Sequence, residues 1–228
     1  MDMEFLSYGA DRLPHELPEA VTAFLGCCQY YSDRLTAGTR NGERWVYSNS
    51  DLWVPQATCF DVMVASGHFG ANCAMMSNWA LMDIGAMPDG TRFWGDIHDE
   101  FARRDLVMPY LDPVLTVVDF RPARPTFGEL LGDGQVKPGD IFLSRLHTFI
   151  CRDMSSFFAC GHDTYWHSED DAPTEDAAHA VFDSWVRPFE GCGNYNNHVN
   201  FRLRIRDEWM PKGYRDADGV RRYLTDKS

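Results

Sequence analysis

The apolar positions of this chain follow two different periods, one in each half. From Leu17 to Leu35, residues Val21, Phe24, Leu25, Cys28 and Tyr31 recur at helical spacing, which predicts an amphipathic helix. Gly38 and Asn41-Gly42 then mark turns, and Arg44 to Tyr47 reads as a short strand. A second short helix is predicted over Thr58 to Ala65, ended by Gly67. A third runs over Asn72 to Ile84, stopped by Gly85 and Pro88. Met75, Trp79 and Met82 share one face of that third helix, a pattern of core contact. Residues 87–112 read as irregular, anchored by Phe93, Trp94 and Phe101.

Further along, the period shortens. Val114 to Phe120, Ile141 to Cys151 and Phe157 to Cys160 are β-rich runs. Val199, Phe201, Leu203 and Ile205 alternate with polar residues, the mark of a half-buried strand. Asp176 to Val186 reads as a single helix between them. Helices first and strands later predict an α+β fold, with N-terminal helices packed on an antiparallel sheet. The expected division is a helical extension over 1–44, a main domain over 45–210 and a tail over 211–228.

Composition narrows the classes open to such a fold. The 228 residues are 44% hydrophobic and 14% aromatic, enough for a large core. The net charge of −13 argues against nucleic acid as a partner. Arg202 to Lys227 runs against that balance, with eight basic and five acidic residues, and reads as a solvated surface. No apolar run of about 18 residues is present, so no membrane span is expected. Met1-Asp2-Met3-Glu4-Phe5 lacks the basic and apolar regions of a secretion signal. The seven cysteines are odd in number and form no CxxC pair, so a complete disulfide framework is not expected. Synthesis in a reducing, cytoplasmic compartment follows.

One cysteine stands apart. Cys73 lies in Gly70-Ala71-Asn72-Cys73-Ala74-Met75-Met76, where a loop-like stretch ends in Asn72, a good helix cap, and a helical pattern begins at the cysteine. A thiol at a helix start feels the positive end of the macrodipole, which favours thiolate, the nucleophilic form. Cysteine chemistry also needs a base and a group that orients it. His147, after the turn Lys137-Pro138-Gly139-Asp140, and His162, in Gly161-His162-Asp163, are the candidates. They are 15 positions apart, consistent with adjacent antiparallel strands.

The order Asn72-Cys73, Pro138-Gly139-Asp140, His147-Thr148-Phe149-Ile150 and Gly161-His162 resembles that of the NlpC-type papain-like cysteine peptidases, which cleave peptidoglycan stem peptides. The resemblance spans roughly residues 45–165. Asn-Cys-Ala-Met stands where that family has Asp-Cys-Ser-Gly, and Thr148-Phe149 replaces Val-Gly. The resemblance implies a papain-like fold and an amide hydrolase without metal or cofactor. Cys73 would be its nucleophile, His147 its base and His162 the orienting group, with Asp163 as an alternative. It also implies that Tyr47, Asn72 and Trp79 border the substrate, and that the partner is peptidoglycan or a peptide. A phage lysin or tail-associated hydrolase fits the lack of a visible signal.

Other readings compete. A papain-like domain without activity would bind a peptide or protein partner, and an acyltransferase would differ only in its acceptor. Cys151, Cys160, His162 and His167 could hold zinc, but their spacing matches no short ligand rule. Asp216-Ala217-Asp218-Gly219 lacks the remaining ligands of a calcium loop and reads as a surface turn. Trp45, Trp53, Trp94 and Trp166 could line a groove, with core packing the commoner use. Arg204, Arg206 and Tyr214 form a further candidate carboxylate site on charge alone.

Overall fold

The structure is a computed structural model and describes residues 7–35, 46–47, 59–67, 70–71, 73–89, 110–144, 147–162, 182–189 and 196–224. Four α-helices are present among them: α1 (Glu19–Leu35), α2 (Phe60–Ala65), α3 (Met75–Asp83) and α4 (Phe127–Gly132). The strands are β1 (Val46–Tyr47), β2 (Gly70–Ala71), β3 (Leu115–Asp119), β4 (Ile141–Ser144), β5 (Thr148–Cys151), β6 (Ser156–His162), β7 (Phe182–Pro188), β8 (Val199–Ile205), β9 (Gly213–Arg215) and β10 (Arg221–Tyr223). The fold is mixed α and β, with an antiparallel sheet carrying a few helices.

Six strands form that sheet in the order β3-β8-β4-β5-β6-β7, every neighbouring pair antiparallel. Strand alternation divides the side chains between its two faces. Ile141, Leu143, Ile150, Phe158, Phe201, Leu203 and Ile205 join the core built on α1 and α3. Phe142, Phe149, Cys151, Phe157, Ala159 and Val199 form a second core with Phe127 and Leu130 of α4. Phe127 meets Phe142, Phe149 and Phe189 edge-on at 5.0–5.4 Å, so α4 seats an aromatic layer on that face.

Local chemistry explains most of these elements. The expected periodicity places α1, whose buried residues include Val21, Phe24, Leu25, Cys28 and Tyr31. Every residue of α3 is buried, so its core contacts extend beyond the face of Met75, Trp79 and Met82. Thr126 begins α4 with a reciprocal capping box: its hydroxyl accepts the Glu129 N–H, and the Glu129 carboxylate accepts the Thr126 N–H at 2.7 Å.

Three expectations change. Residues 182–186 of the expected helix over Asp176 to Val186 form part of β7, paired with β6 from Phe182 opposite His162 to Pro188 opposite Ser156. Residues 176–181 lie outside the described residues. The expected tail over 211–228 contains the antiparallel pair β9–β10, and its Arg215 is among the largest fully buried side chains. In the expected N-terminal extension, α1 packs against α3, β6, β7 and β9, and so belongs to the main core.

Candidate active site

Cys73 occupies the turn that enters α3. The first helical hydrogen bond there runs from the Asn78 N–H to the Ala74 carbonyl, which makes Ala74 the cap. The helix therefore starts two residues after the cysteine, and no side chain caps it. Cys73 is 6% exposed, so a reacting carbonyl has to reach a nearly covered sulfur. Cys27, Cys28, Cys59 and Cys151 are also buried thiols. Burial, with Asp83 adding to it, pushes Cys27 well above the usual thiol range, and burial with Asp140 does the same to Cys151.

Just before Cys73, β1 and β2 pair in parallel, with Val46 opposite Gly70 and Tyr47 opposite Ala71. This brings the Tyr47 backbone to the approach of the cysteine turn. The Tyr47 side chain and Asn72 lie outside the described residues. Trp79 does not border an open site. It is fully buried, and its ring packs against Tyr31 at 5.3 Å and Phe60 at 5.1 Å. Ten residues of the segment Ala74–Met87 belong to the helix-side core, which packs around this tryptophan.

His147 precedes β5. Its carbonyl accepts hydrogen bonds from the Ser144 N–H at 2.9 Å and the Ser144 hydroxyl at 3.0 Å, which tie the β4–β5 connection. Its ring stacks on Phe149 at 6.0 Å with an interplanar angle of 23°. Phe149 belongs to the aromatic layer on the α4 side of the sheet, whereas α3 packs on the other side. His162 ends β6. The β6–β7 ladder is unbroken to that residue, so Gly161 shares the phase of Phe157 and Ala159, and His162 shares that of Phe158. His147 and His162 therefore stand in opposite phases of the sheet. The side chains of Cys160 and His162, and all of Asp163 and His167, lie outside the described residues.

Burial alone pushes His147 down to about 4, although the ring keeps some surface at the solvent. It is neutral at physiological pH, and the burial that keeps it so makes it a weak base and disfavours a thiolate–imidazolium pair. The unfolded chain takes up this proton near 6.5, before the folded chain does, so stability falls as pH drops from about 6.5 to about 4. The full effect is up to about 3 kcal/mol. Proton NMR should show the His147 ring titrating near pH 4, and His147→Gln should remove this part of the acid destabilisation. Ring titration near pH 6.5 would refute it.

Asn78 is a residue that motif reading missed. It lies on α3, 1% exposed, and neither its side-chain oxygen nor its nitrogen has a hydrogen-bond partner among the described residues. A buried amide left unpaired costs stability, which marks a polar group the fold itself does not use. Its sequence signal is an asparagine, next to Ser77, inside a mostly apolar helical run. The proposed carboxylate set is already engaged in part: Arg204 is bound to Asp140, and Arg206 donates to the Asp112 carbonyl at 3.2 Å. Among the described residues, no three His, Cys, Asp or Glu side chains cluster as a metal site, and no helix is long and apolar enough to cross a membrane.

No protein-family model, curated protein or solved structure matches the chain.

Proposed function

We propose that the chain is a cysteine hydrolase of amide bonds, with Cys73 as nucleophile and peptidoglycan stem peptides as the substrate class. The observation that carries the reading is Cys73 in the turn entering α3, just after the β1–β2 pair. The order of motifs shared with NlpC-type papain-like peptidases supports it, and a helix start favours a developing negative charge. In this mechanism, the Cys73 sulfur attacks the amide carbonyl while its proton passes to a neutral imidazole. The backbone N–H of Cys73 helps hold the oxyanion. The leaving amine takes the proton, and water then releases the acyl group. The shared order of motifs makes His147 the proposed base and His162 its orienting partner; this assignment requires the His147 ring to leave Phe149 and the α4-side layer to serve the cysteine that enters α3.

A second reading has its own observation. With His147 stacked in the aromatic layer, the domain would bind a peptide without cleaving it. The two readings separate on incubating the protein and Cys73→Ala with purified peptidoglycan and following fragments by mass spectrometry. The hydrolase reading expects release to fall about a thousandfold or more in the variant. It also expects Cys73 to alkylate well ahead of Cys27 and Cys151. Equal release from both proteins would defeat Cys73 as the nucleophile, and no release together with an inert Cys73 would favour the binding domain.

A further inference from the structure

The helix entered from Cys73 also carries an unused polar group. Asn78 ends the first turn of α3, 1% exposed, and neither its Oδ1 nor its Nδ2 has a hydrogen-bond partner among the described residues. The carbonyl one turn back, that of Ala74, already accepts the Asn78 backbone N–H at 3.2 Å and the Ser77 hydroxyl at 2.9 Å. Two donors fill its two lone pairs, so the Asn78 carboxamide has no place there.

Helix geometry sets what this carboxamide covers. Every Cα–Cβ bond of an α-helix tilts toward the N-terminus, and a side chain lies over the turn before its own Cα. For Asn78 that turn is Ala74–Met75, entered directly from Cys73. The helical rise over the intervening residues sets the Cys73 and Asn78 Cα atoms about 8 Å apart. One inserted carbonyl group bridges two side chains at that separation. Cys73 and Ala74 are buried as well, 6% and 4% exposed, and a hydrogen bond to developing charge is stronger where water is excluded.

We propose that Asn78 Nδ2 donates a hydrogen bond to the oxyanion formed at Cys73, alongside the Cys73 backbone N–H. The assignment rests on the hydrolase reading and gives its mechanism a second donor. As the Cys73 sulfur bonds to the amide carbon, the π pair of the carbonyl moves to oxygen, where both N–H groups meet it. The pair returns as the C–N bond breaks, and the amine leaves with the proton that the sulfur gave up. An unpaired buried amide is unfavourable in the resting protein. That penalty is relieved when the oxyanion forms, so the group favours the transition state over the ground state.

The test compares wild type, Asn78→Leu and Asn78→Ala in two reactions of Cys73. Cleavage of soluble peptidoglycan fragments passes through an oxyanion; alkylation by iodoacetamide does not. Both variants should lower kcat about a hundredfold with KM little changed, and both should alkylate Cys73 at the wild-type rate. Asn78→Leu, which removes both unpaired atoms, should unfold at no lower temperature than wild type. Cys73-dependent cleavage that persists undiminished in both variants would overturn the Asn78 assignment and leave the hydrolase reading standing. Slowed alkylation accompanying lost cleavage in both variants would make Asn78 a structural residue and overturn the assignment. No cleavage by the wild type would overturn the hydrolase reading and this assignment with it.

Discussion

Arg215→Met is expected to lower the free energy of unfolding by about 4 kcal/mol at neutral pH. Arg215 is 1% exposed and lies at the centre of a network joining four segments far apart in the chain. Its Nε donates to Asp83 at 2.6 Å, and Nη1 and Nη2 reach Asp61 at 3.1 and 3.0 Å. Nη1 also donates to the Gly219 carbonyl at 2.9 Å, and Nη2 to the Tyr31 hydroxyl at 3.1 Å. Tyr31 donates in turn to Asp83. The guanidinium lies over the rings of Tyr30 and Tyr31 at 4.5 and 5.2 Å, so its flat faces are used as fully as its edges.

The loss comes chiefly from what is left behind. Asp83 is 1% exposed; burial raises its pKa, and Arg215 is the strongest influence opposing that rise. With methionine at 215, Arg221 at 3.3 Å is the cationic partner left to the carboxylate among the described residues. Truncating one partner of a buried pair costs more than replacing both. The double variant Asp83→Leu/Arg215→Met should therefore be more stable than Arg215→Met alone. Chemical denaturation of the two single variants and the double gives the coupling. Additive losses would mean that Arg215 acts by packing alone.

This network also shows where reading the sequence stops. The α1 helix was legible because five apolar residues mark its buried face, and β8 because its alternation is regular. Arg215 was read as part of a solvated basic segment. Its partner Asp83 lies 132 positions earlier, and no local pattern pairs them. The β9–β10 pair was missed because Tyr214, Arg215, Arg221 and Arg222 offer no apolar alternation, although the turn at Asp216–Gly219 was expected. The residues of β7 were assigned to a helix because Ala177, Ala178 and Ala180 lie just before them, and pairing with β6 overrides that propensity.

The candidate site divides in the same way. A cysteine at the entrance to a helix is a local feature and was legible, displaced by two residues because Ala74 caps the helix in place of Asn72. The faces taken by His147 and His162 depend on register across the β5–β6 pair. A shift of one residue exchanges the faces of a strand, so spacing along the chain could bring the histidines to neighbouring strands without fixing their phase. Trp79 shared a face with Met75 and Met82 in sequence, a pattern that fits core packing better than a substrate wall.

Arg204→Met is expected to cost about 3 kcal/mol at pH 7, at the lower end for such a pair because the arginine keeps 23% of its side chain exposed. Asp140 has no exposed surface, and besides Arg204 it accepts the Lys137 N–H at 2.8 Å. Burial raises the Asp140 pKa, and Arg204 opposes that rise. Removing the arginine raises it further. An acid whose folded pKa lies above its unfolded value loses stability as pH rises between the two, because the folded state binds the proton more tightly there. The penalty in Arg204→Met should therefore shrink as pH falls and Asp140 becomes a neutral carboxylic acid, able to remain buried with the Lys137 N–H as its partner. Asp140→Asn in the same background should recover most of the loss at pH 7 and remove its pH dependence. Denaturant unfolding at pH 7 and near pH 4 measures both effects. A penalty equal at the two pH values would place the cost in the lost packing of the arginine stem over the sheet, not in the stranded carboxylate.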